Sequence, residues 1–97
     1  MNGTVRRTLF TFLAVAAVAV QALAGPRVHL AGDSTMANKD RSRPNPEYGW
    51  GEMLPRYLRD PAAVINYARN GRSTKSFRDE GRWDVLLAAL QPGDWVI

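Results

Sequence analysis

Three short apolar segments alternate with two segments of helical periodicity along the carboxyl-terminal three quarters of the chain. The apolar segments, at residues 27–31, 63–68 and 95–97, contain β-branched residues and adjoin glycine, asparagine or proline, as buried strands do. Between them, apolar residues recur every third or fourth position over residues 50–58 and 76–90, the spacing of an amphipathic helix. The pattern therefore predicts the order strand, helix, strand, helix, strand.

Proline and glycine interrupt both helical segments. Pro55 predicts either a helix that begins near it or a kink, and Gly81 weakens the first part of the second segment. Residues 38–47 combine charge with proline and predict a surface loop. Three tryptophans lie at apolar positions of the helical segments or of the last apolar segment, so we expect them to pack in the core rather than to stack on sugar rings: Trp50, Trp83 and Trp95.

Both helical segments are long enough to carry the chain back over a sheet, which makes neighbouring strands parallel. The predicted fold class is α/β, a three-layer α/β/α doubly wound parallel sheet of flavodoxin-like kind. A parallel sheet needs cover on both faces, and two helices over three strands do not supply it. We therefore expect residues 25–97 to be the amino-terminal part of a longer domain that continues beyond the start of the third strand.

The first 24 residues have the organisation of an export signal. Arg6-Arg7 precedes 13 weakly polar to apolar residues at 8–20, and Ala22-Leu23-Ala24 is an A-x-A cleavage pattern. Spanning a bilayer as a helix takes roughly 20 apolar residues, so an uncleaved anchor is the weaker alternative. We expect cleavage after Ala24, a secreted or periplasmic mature chain, and no stable membrane association after cleavage.

Composition narrows the range of partners. The 97 residues carry 13 basic and 9 acidic side chains, a formal net charge of +4, and no cysteine. Removal of the two arginines of the signal leaves 11 basic against 9 acidic side chains, a net of +2. Because this charge is small and aromatic residues are not interleaved with it, no nucleic-acid binding is expected. The lack of cysteine excludes disulfides and cysteine-ligated zinc.

Two of the predicted strands end in segments suited to chemistry. In an open parallel sheet, ligands collect beyond the carboxyl ends of the strands. The first strand is followed there by Gly-Asp-Ser-Thr at residues 32–35, and the second by Arg-Asn-Gly-Arg-Ser-Thr at residues 69–74. Judged alone, Ser34 is either a turn or cap serine or an exposed nucleophile. Gly71 suits a tight turn and also leaves a backbone N–H open to a ligand, and both can hold together.

An ordered set of residues resembles a known hydrolase family. Residues 30–37, Leu-Ala-Gly-Asp-Ser-Thr-Met-Ala, look like the first block of the SGNH, or GDSL-type, hydrolases. Further positions in the same order resemble rhamnogalacturonan acetylesterases more narrowly: Gly49-Trp50-Gly51-Glu52, Asn66, Gly71-Arg72-Ser73, Ser76, Gly81-Arg82 and Gly93-Asp94. The resemblance implies that Ser34 is the nucleophile and that its own N–H is an oxyanion donor. It also implies that the Gly71 N–H is a second donor and that no cofactor takes part.

The chain stops before two further blocks of that family. The resemblance implies a Gly-x-Asn-Asp block, with a third donor, just after the strand at Trp95, and a later Asp-x-x-His block that supplies the base. The single histidine, His29, lies five residues before Ser34, roughly 16 Å along an extended chain, and is expected to be a strand residue. Asp33 is expected to have a structural or capping role. We therefore expect the 97-residue chain alone to be inactive.

The leading hypothesis is a secreted serine esterase that deacetylates a pectic polysaccharide of rhamnogalacturonan kind. Arg72 and Lys75 are candidates to meet carboxylates of such a substrate, although a solvated basic face explains them more simply. The alternatives are an SGNH esterase or lipase-like enzyme acting on other acyl esters, and a non-catalytic truncated product. A small membrane-bound partner protein is a third alternative if the amino terminus stays uncleaved.

Overall fold

A computed structural model describes residues 25–97, so the predicted export signal at residues 1–24 lies outside the described residues. The described part forms a small parallel sheet with short helices. In chain order its elements are β1 (Val28–Leu30), α1 (Trp50–Met53), a 3₁₀ helix (Leu54–Tyr57), a second 3₁₀ helix (Pro61–Ala63), β2 (Val64–Asn66), α2 (Thr74–Asp79), α3 (Arg82–Ala89) and β3 (Trp95–Val96). Over residues 25–97, no helix combines the length and the apolar character that crossing a bilayer requires.

The central strand is β1. The sheet has the order β2-β1-β3, and both pairs are parallel. Val28 lies opposite Val64 on one side and opposite Trp95 on the other. The chain therefore passes from β1 to one side of the sheet and then to the other, which is the topological switch of a doubly wound fold. The predicted α/β fold class is confirmed, and the switch places a crevice at the carboxyl end of β1.

The first helical segment changes type at its proline. α1 has four residues and leads directly into the 3₁₀ helix that begins at Leu54, with Pro55 at its start. Proline has no N–H to donate and its ring obstructs a continuing α-helix, so the tighter 3₁₀ turn takes over. The kink predicted at Pro55 is therefore a change from one kind of helix to another.

The second helical segment is two helices rather than one. α2 begins after Ser73, whose Oγ accepts the Ser76 N–H at 3.1 Å, while Ser76 Oγ accepts the Ser73 N–H at 2.9 Å. This reciprocal cap fixes the start of α2. Gly81 has a φ of 74°, which no α-helix allows, and α3 starts at the next residue. The prediction of one helix over residues 76–90 is therefore wrong.

The main apolar cluster surrounds the turn that follows β1. Its buried side chains and those packed against them are Leu30, Met36, Ala37, Ala68, Val28, Leu54 and Val64. Burying side chains of this kind stabilises a fold by about 1.5 to 3 kcal/mol each, before conformational entropy is subtracted. The apolar cluster therefore anchors the segment between β1 and α1 to the sheet.

α1 approaches this turn unusually closely. The Trp50 N–H donates to the Thr35 carbonyl at 2.9 Å, and the Gly51 N–H donates to the Met36 carbonyl at 3.1 Å. A Cβ on Gly49 would lie 2.0 Å from the carbonyl oxygen of Ala37, so only glycine fits there. The residues after β1 are thus held by backbone contacts on both sides.

The tryptophans contribute little to the core of the described residues. Trp95 is 65% exposed and Trp50 is 42% exposed, while Trp83 is half-buried. α1 meets the core through its buried glycine, Gly51, and β3 is an edge strand whose two residues are both exposed. The expectation of core packing is therefore wrong for Trp50 and Trp95 in this part of the chain.

Candidate active site

The turn after β1 carries Ser34 and is shaped by the residue before it. Asp33 Oδ1 accepts hydrogen bonds from the Thr35 N–H at 3.1 Å and from the Thr35 hydroxyl at 3.0 Å. The Asp33 carbonyl accepts the Met36 and Ala37 N–H groups at 3.2 and 2.9 Å. The bonds from Thr35, the backbone one first, hold the pKa of the Asp33 carboxyl below its usual value. Asp33 thus has the structural role that its position predicted.

Ser34 itself is exposed and offers two groups to solvent. Among residues 25–97, no protein group forms a hydrogen bond with its hydroxyl or accepts its backbone N–H. Its carbonyl oxygen accepts a hydrogen bond from the ammonium of Lys39. A serine hydroxyl without a base is a weak nucleophile, so Ser34 is presented to a ligand but not activated by the described residues.

Gly71 lies in the exposed turn that follows β2, the strand beside β1. Its φ is 75°, a conformation that glycine adopts without strain. A Cβ there would meet nothing within 4 Å, so the backbone angle and not the available space accounts for the glycine. In the part of the chain that the structure describes, no group accepts the Gly71 N–H. It is a second open backbone donor at the carboxyl edge of the sheet.

Two sets of contacts join the Ser34 turn to the Gly71 turn. The parallel ladder continues beyond the strands, since the Arg69 N–H donates to the Gly32 carbonyl at 3.1 Å. The Lys39 ammonium, which binds the Ser34 carbonyl, also donates to Asn70 Oδ1 at 2.9 Å. A single nitrogen therefore contacts the predicted nucleophile residue and the residue directly before Gly71. The structure brings together the two turns that the sequence singled out.

Arg72 and Lys75, the candidate substrate-binding residues, occupy different settings. Arg72 Nε lies 3.0 Å from Glu80 Oε1, and Arg72 Nη1 donates to the Asn70 carbonyl at 2.9 Å. Lys75 pairs with Asp79 at 2.5 Å on the outer surface of α2, and its side chain is 85% exposed. Arg72, followed by Arg82, lowers the pKa of the Glu80 carboxyl. Arg72 adjoins the Gly71 turn, whereas Lys75 lies on the solvated helix face.

Two open grooves flank the Ser34 turn. The larger, of about 810 Å³, runs between the loops after β1 and β2 and has four basic side chains and one acidic one on its walls: Lys39, Arg69, Arg72, Arg82 and Asp40. The second, of about 710 Å³, lies between the Ser34 turn and α2, and its apolar side is formed by Met36, Phe77 and Trp83. Arg72 borders both grooves, and Lys75 borders neither. Ser34 itself lines neither groove, but Gly32, Asp33 and Thr35 of its turn line the second one.

His29 lies away from Ser34, as its place on the strand predicted. It is fully buried on β1, and its Nε2 is 2.8 Å from Asp94 Oδ2. Asp94 directly precedes β3, so in a parallel sheet it belongs to the amino-terminal edge, opposite the edge that carries Ser34. On the other ring nitrogen, Nδ1 lies 3.3 Å from the Tyr67 hydroxyl, and the two rings stack at 5.9 Å. His29 is therefore a satisfied core residue.

Sequence reasoning named Asn66 and Glu52 only as positions of the family resemblance and missed the polar contacts that they make behind the site. Asn66, the last residue of β2, donates through Nδ2 to the Met36 carbonyl and to Asn38 Oδ1, both at 2.9 Å. Arg41 binds Glu52 through Nε at 3.0 Å and Nη2 at 3.1 Å, and these bonds lower the pKa of the Glu52 carboxyl. A charged, proline-containing loop predicts only exposure, so the pattern held no signal for these partners.

Known proteins resemble this chain over most of the described residues. A probable rhamnogalacturonan acetylesterase of Bacillus subtilis, YesY, is 41% identical over 69 residues, which are 71% of this chain and 31% of that protein. A rhamnogalacturonan acetylesterase of Emericella nidulans is 42% identical over 72 residues, 72% of this chain and 25% of that protein. No protein-family model matches the chain.

A solved structure supports the same relationship at the level of the fold. The crystal structure of YxiM from Bacillus subtilis superposes with a TM-score of 0.64 and 32% sequence identity, over 74% of this chain and 21% of that one. The same protein, an uncharacterized esterase, is 31% identical over 91 residues. The chain spans between about a quarter and a third of the length of the curated relatives it matches.

Proposed function

We propose that this chain, which is of the SGNH-hydrolase type in sequence and fold, carries the nucleophile half of an exported serine esterase that deacetylates a pectic polysaccharide of rhamnogalacturonan kind. The type follows from the ordered blocks around Ser34 and Gly71, the doubly wound sheet, and relatives that are named esterases. The substrate, the export and the roles of single residues are the proposal.

The open N–H groups of Ser34 and Gly71 are the main support for this proposal. Ser34 and Gly71 each present a backbone N–H without an acceptor among residues 25–97, on turns that a single ammonium group connects. Open N–H groups beside an exposed hydroxyl are the arrangement that receives the negative oxygen of a tetrahedral intermediate. A donor of this kind contributes about 10²- to 10³-fold to acyl transfer.

The chemistry assigned to these groups is acyl transfer to water. Ser34 Oγ attacks the acetyl carbonyl carbon, its proton passes to a base, and the carbonyl oxygen becomes an oxyanion bound by the Ser34 and Gly71 N–H groups. Collapse breaks the bond to the sugar oxygen, which takes the proton from the base. Water then hydrolyses the acetyl-enzyme by the same steps and restores the serine. No cofactor enters these steps.

The general base that would activate Ser34 is not found among residues 25–97. His29 is fully buried and its ring nitrogens bind Asp94, which precedes β3, and the Tyr67 hydroxyl, so it does not serve Ser34. The family resemblance implies a histidine in an Asp-x-x-His block, and the relatives are three to four times as long as the segment they share with this chain. We therefore infer that the chain by itself does not hydrolyse esters.

Two finer assignments complete the proposal. Arg72 and Lys75 are proposed to meet carboxylates of an acidic polysaccharide. The assignment has more support for Arg72, which borders both grooves, than for Lys75, whose side chain is 85% exposed and borders neither. Residues 1–24 are proposed to direct export to the periplasm or medium and to be removed after Ala24. Hydrolysis of other acyl esters is the second candidate function, because YxiM is named only as an esterase.

The decisive experiment compares variants of the gene product translated through to its natural stop codon. We expect it to release acetate from acetylated rhamnogalacturonan, and Ser34→Ala to reduce kcat by more than about 10³-fold without lowering the unfolding midpoint. Ser42→Ala is the matched control, since Ser42 Oγ binds Asp40 Oδ1 in the surface loop at 2.5 Å. Full activity in Ser34→Ala would refute the proposal, and faster hydrolysis of aryl butyrates than of aryl acetates, together with no acetate release from the polysaccharide, would favour the second candidate.

A further inference from the structure

Lys39 is the residue that physically connects the two turns of the candidate site. Its ammonium donates to the Ser34 carbonyl and to Asn70 Oδ1, across 31 residues of sequence in the second case. We propose that Lys39 is a positioning residue that sets the distance between the Ser34 and Gly71 N–H donors, an inference that rests on the proposed esterase function. We call the contacts among Ser34, Lys39 and Asn70 the lysine clasp.

The lysine is itself held firmly, which a long side chain needs if it is to position anything. Its own backbone N–H donates to Glu52 Oε1 at 3.1 Å. Glu52 is fixed in turn by two bonds from Arg41, whose guanidinium also binds the carbonyls of Asn45, at 2.8 Å, and Glu47. The loop between β1 and α1 is thereby folded onto α1, and Lys39 is half-buried at its base.

The segment that carries Lys39 is also tied to the Ser34 turn through the backbone. Trp50 and Gly51 of α1 donate to the carbonyls of Thr35 and Met36 at 2.9 and 3.1 Å. Because Glu52 lies on the same helix, α1 fixes both the Ser34 turn and the backbone of Lys39. Both ends of the Lys39 side chain are thus restrained: its backbone is bound to Glu52, and its ammonium binds the carbonyl of Ser34, whose turn is held by α1.

The contact between Lys39 and Asn70 is the part of the lysine clasp that affects catalysis, because Asn70 adjoins the second donor, Gly71. The Gly71 turn is exposed, and a Cβ on Gly71 would touch nothing, so hydrogen bonds rather than packing hold this turn. Arg72 Nη1 donates to the Asn70 carbonyl at 2.9 Å from within the turn, and Lys39 binds Asn70 from the loop after β1. Asn70 precedes Gly71 directly, and one rigid peptide unit separates its Cα from the Gly71 N–H. Holding Asn70 Oδ1 at 2.9 Å therefore restrains the second donor relative to the first. A misplacement of about 1 Å in such a group costs about 10²-fold in rate.

A structural role of the loop alone would give different behaviour from a positioning role. If Lys39 only stabilises the loop, its loss lowers the unfolding midpoint and leaves kcat per folded molecule unchanged. If it positions the donors, its loss lowers kcat and leaves KM for a small acetyl ester unchanged, because donors to the oxyanion act in the transition state. Removal of Asn70 then costs little more once Lys39 is gone, since the two act through one contact.

The kinetic test uses the same gene product read through to its natural stop codon. We expect Lys39→Met to lower kcat on an aryl acetate about 10- to 100-fold with KM within about twofold, and Lys39→Arg, which keeps donors at this site, to restore most of it. Asn70→Ala in the Lys39→Met background should cost less than about twofold more. Arg59→Met, an exposed cation outside both grooves, is the control and should not alter kcat.

A second measurement keeps the clasp testable apart from the esterase function. In ¹⁵N-labelled full chain, we expect Lys39→Met to shift the amide resonances of Ser34 and Gly71 and the Asn70 side-chain NH₂, and Arg59→Met to shift none of them. Unshifted resonances would overturn the clasp whether or not the protein is an esterase. Shifted resonances with unchanged kcat would overturn the positioning role. If the unaltered protein hydrolyses no ester, the proposed function fails, and the resonances alone decide whether the clasp exists.

Discussion

The two edges of the sheet contain similar residue types in opposite states. Asp94 lies at the amino-terminal edge and binds His29 of the central strand at 2.8 Å. Their side chains are only 3% and 0% exposed, and the other ring nitrogen of His29 lies near the Tyr67 hydroxyl. At the carboxyl-terminal edge, Ser34 and Gly71 are exposed and keep N–H groups that no acceptor among residues 25–97 engages. One edge has its polar groups satisfied, and the other keeps donors open.

The difference follows from where each group meets water. Asp94 accepts hydrogen bonds from the Arg27 N–H, His29 and the Gln91 N–H, and these bonds, in that order, lower the pKa of its carboxyl to about 2. A buried group in such a network stabilises the fold and is not free to react. The open N–H groups at the other edge cost little because they are exposed and water can solvate them.

The largest loss of stability is expected from the removal of His29. His29→Ala leaves a cavity on the central strand and takes a partner from both Asp94 and Tyr67. We expect the free energy of unfolding to fall by about 2 to 4 kcal/mol, measured by urea unfolding with far-ultraviolet circular dichroism. His29→Gln, which keeps one amide donor for Asp94, should lie between the wild type and the alanine variant. Equal stability of all three would show that the amino-terminal edge does not hold the fold.

The next test uses two glycines with nearly the same backbone angle. Gly71 and Gly81 have φ values of 75° and 74°, and a Cβ on either would meet nothing within 4 Å. Alanine at either position should therefore cost about 1 kcal/mol of stability through backbone strain. Only Gly71→Ala should also lower kcat, by about tenfold or more, because strain relief moves an oxyanion donor. A matching loss of kcat in Gly81→Ala would remove the special place of Gly71.

Local periodicity predicted most of the fold, and its failures have identifiable causes. The strands β1, β2 and β3 lie where short segments with β-branched residues between turn residues predicted them, although only β1 contains buried residues. Gly81 signalled a weak point in the second helical segment, but a glycine alone does not say that its φ will be 74° and that the helix will end there. The pattern could not predict the exposure of Trp50, since an apolar stripe does not show that α1 packs against the core through Gly51.

The candidate site was predictable only in part for a related reason. Ser34 and Gly71 follow strands, and strand ends in a parallel sheet converge, so sequence order alone places them together. Lys39 reaches Asn70 through space over 31 residues, and no periodic pattern encodes such a contact. Charged residues in a loop predict exposure to solvent, so the sequence gives no sign that the Lys39 ammonium joins the two turns.

Acid should weaken the amino-terminal edge in a predictable direction. The folded pKa of Asp94, about 2, is below the ordinary 3.8, so its ionised form favours the folded state. Its contribution is complete above about pH 5, decreases as the pH falls through 3.8 towards 2, and is absent below that.

We therefore expect the stability difference between the wild type and Asp94→Asn to be constant above about pH 5 and to shrink as the pH falls from there to pH 2, measured by urea unfolding. The pKa values of the Asp33, Asp40, Glu52 and Glu80 carboxyls are also lowered, but they contribute the same slope to both proteins. A difference independent of pH would mean that Asp94 acts through packing alone.

The smallest expected effect separates Arg72 from Lys75. Arg72 borders both grooves beside the Ser34 turn, whereas Lys75 is 85% exposed on α2 and borders neither groove, so only Arg72 is placed to meet a substrate carboxylate. Arg72→Met should raise KM about three- to tenfold on an acidic acetylated glycan and leave KM on a neutral one unchanged, while Lys75→Met should stay within about twofold on both. These KM values are measured by acetate release. Equal KM shifts on acidic and neutral glycans in Arg72→Met would assign that arginine to holding the loop through Glu80 and Asn70, and would leave the carboxyl-terminal edge selective for the ester alone.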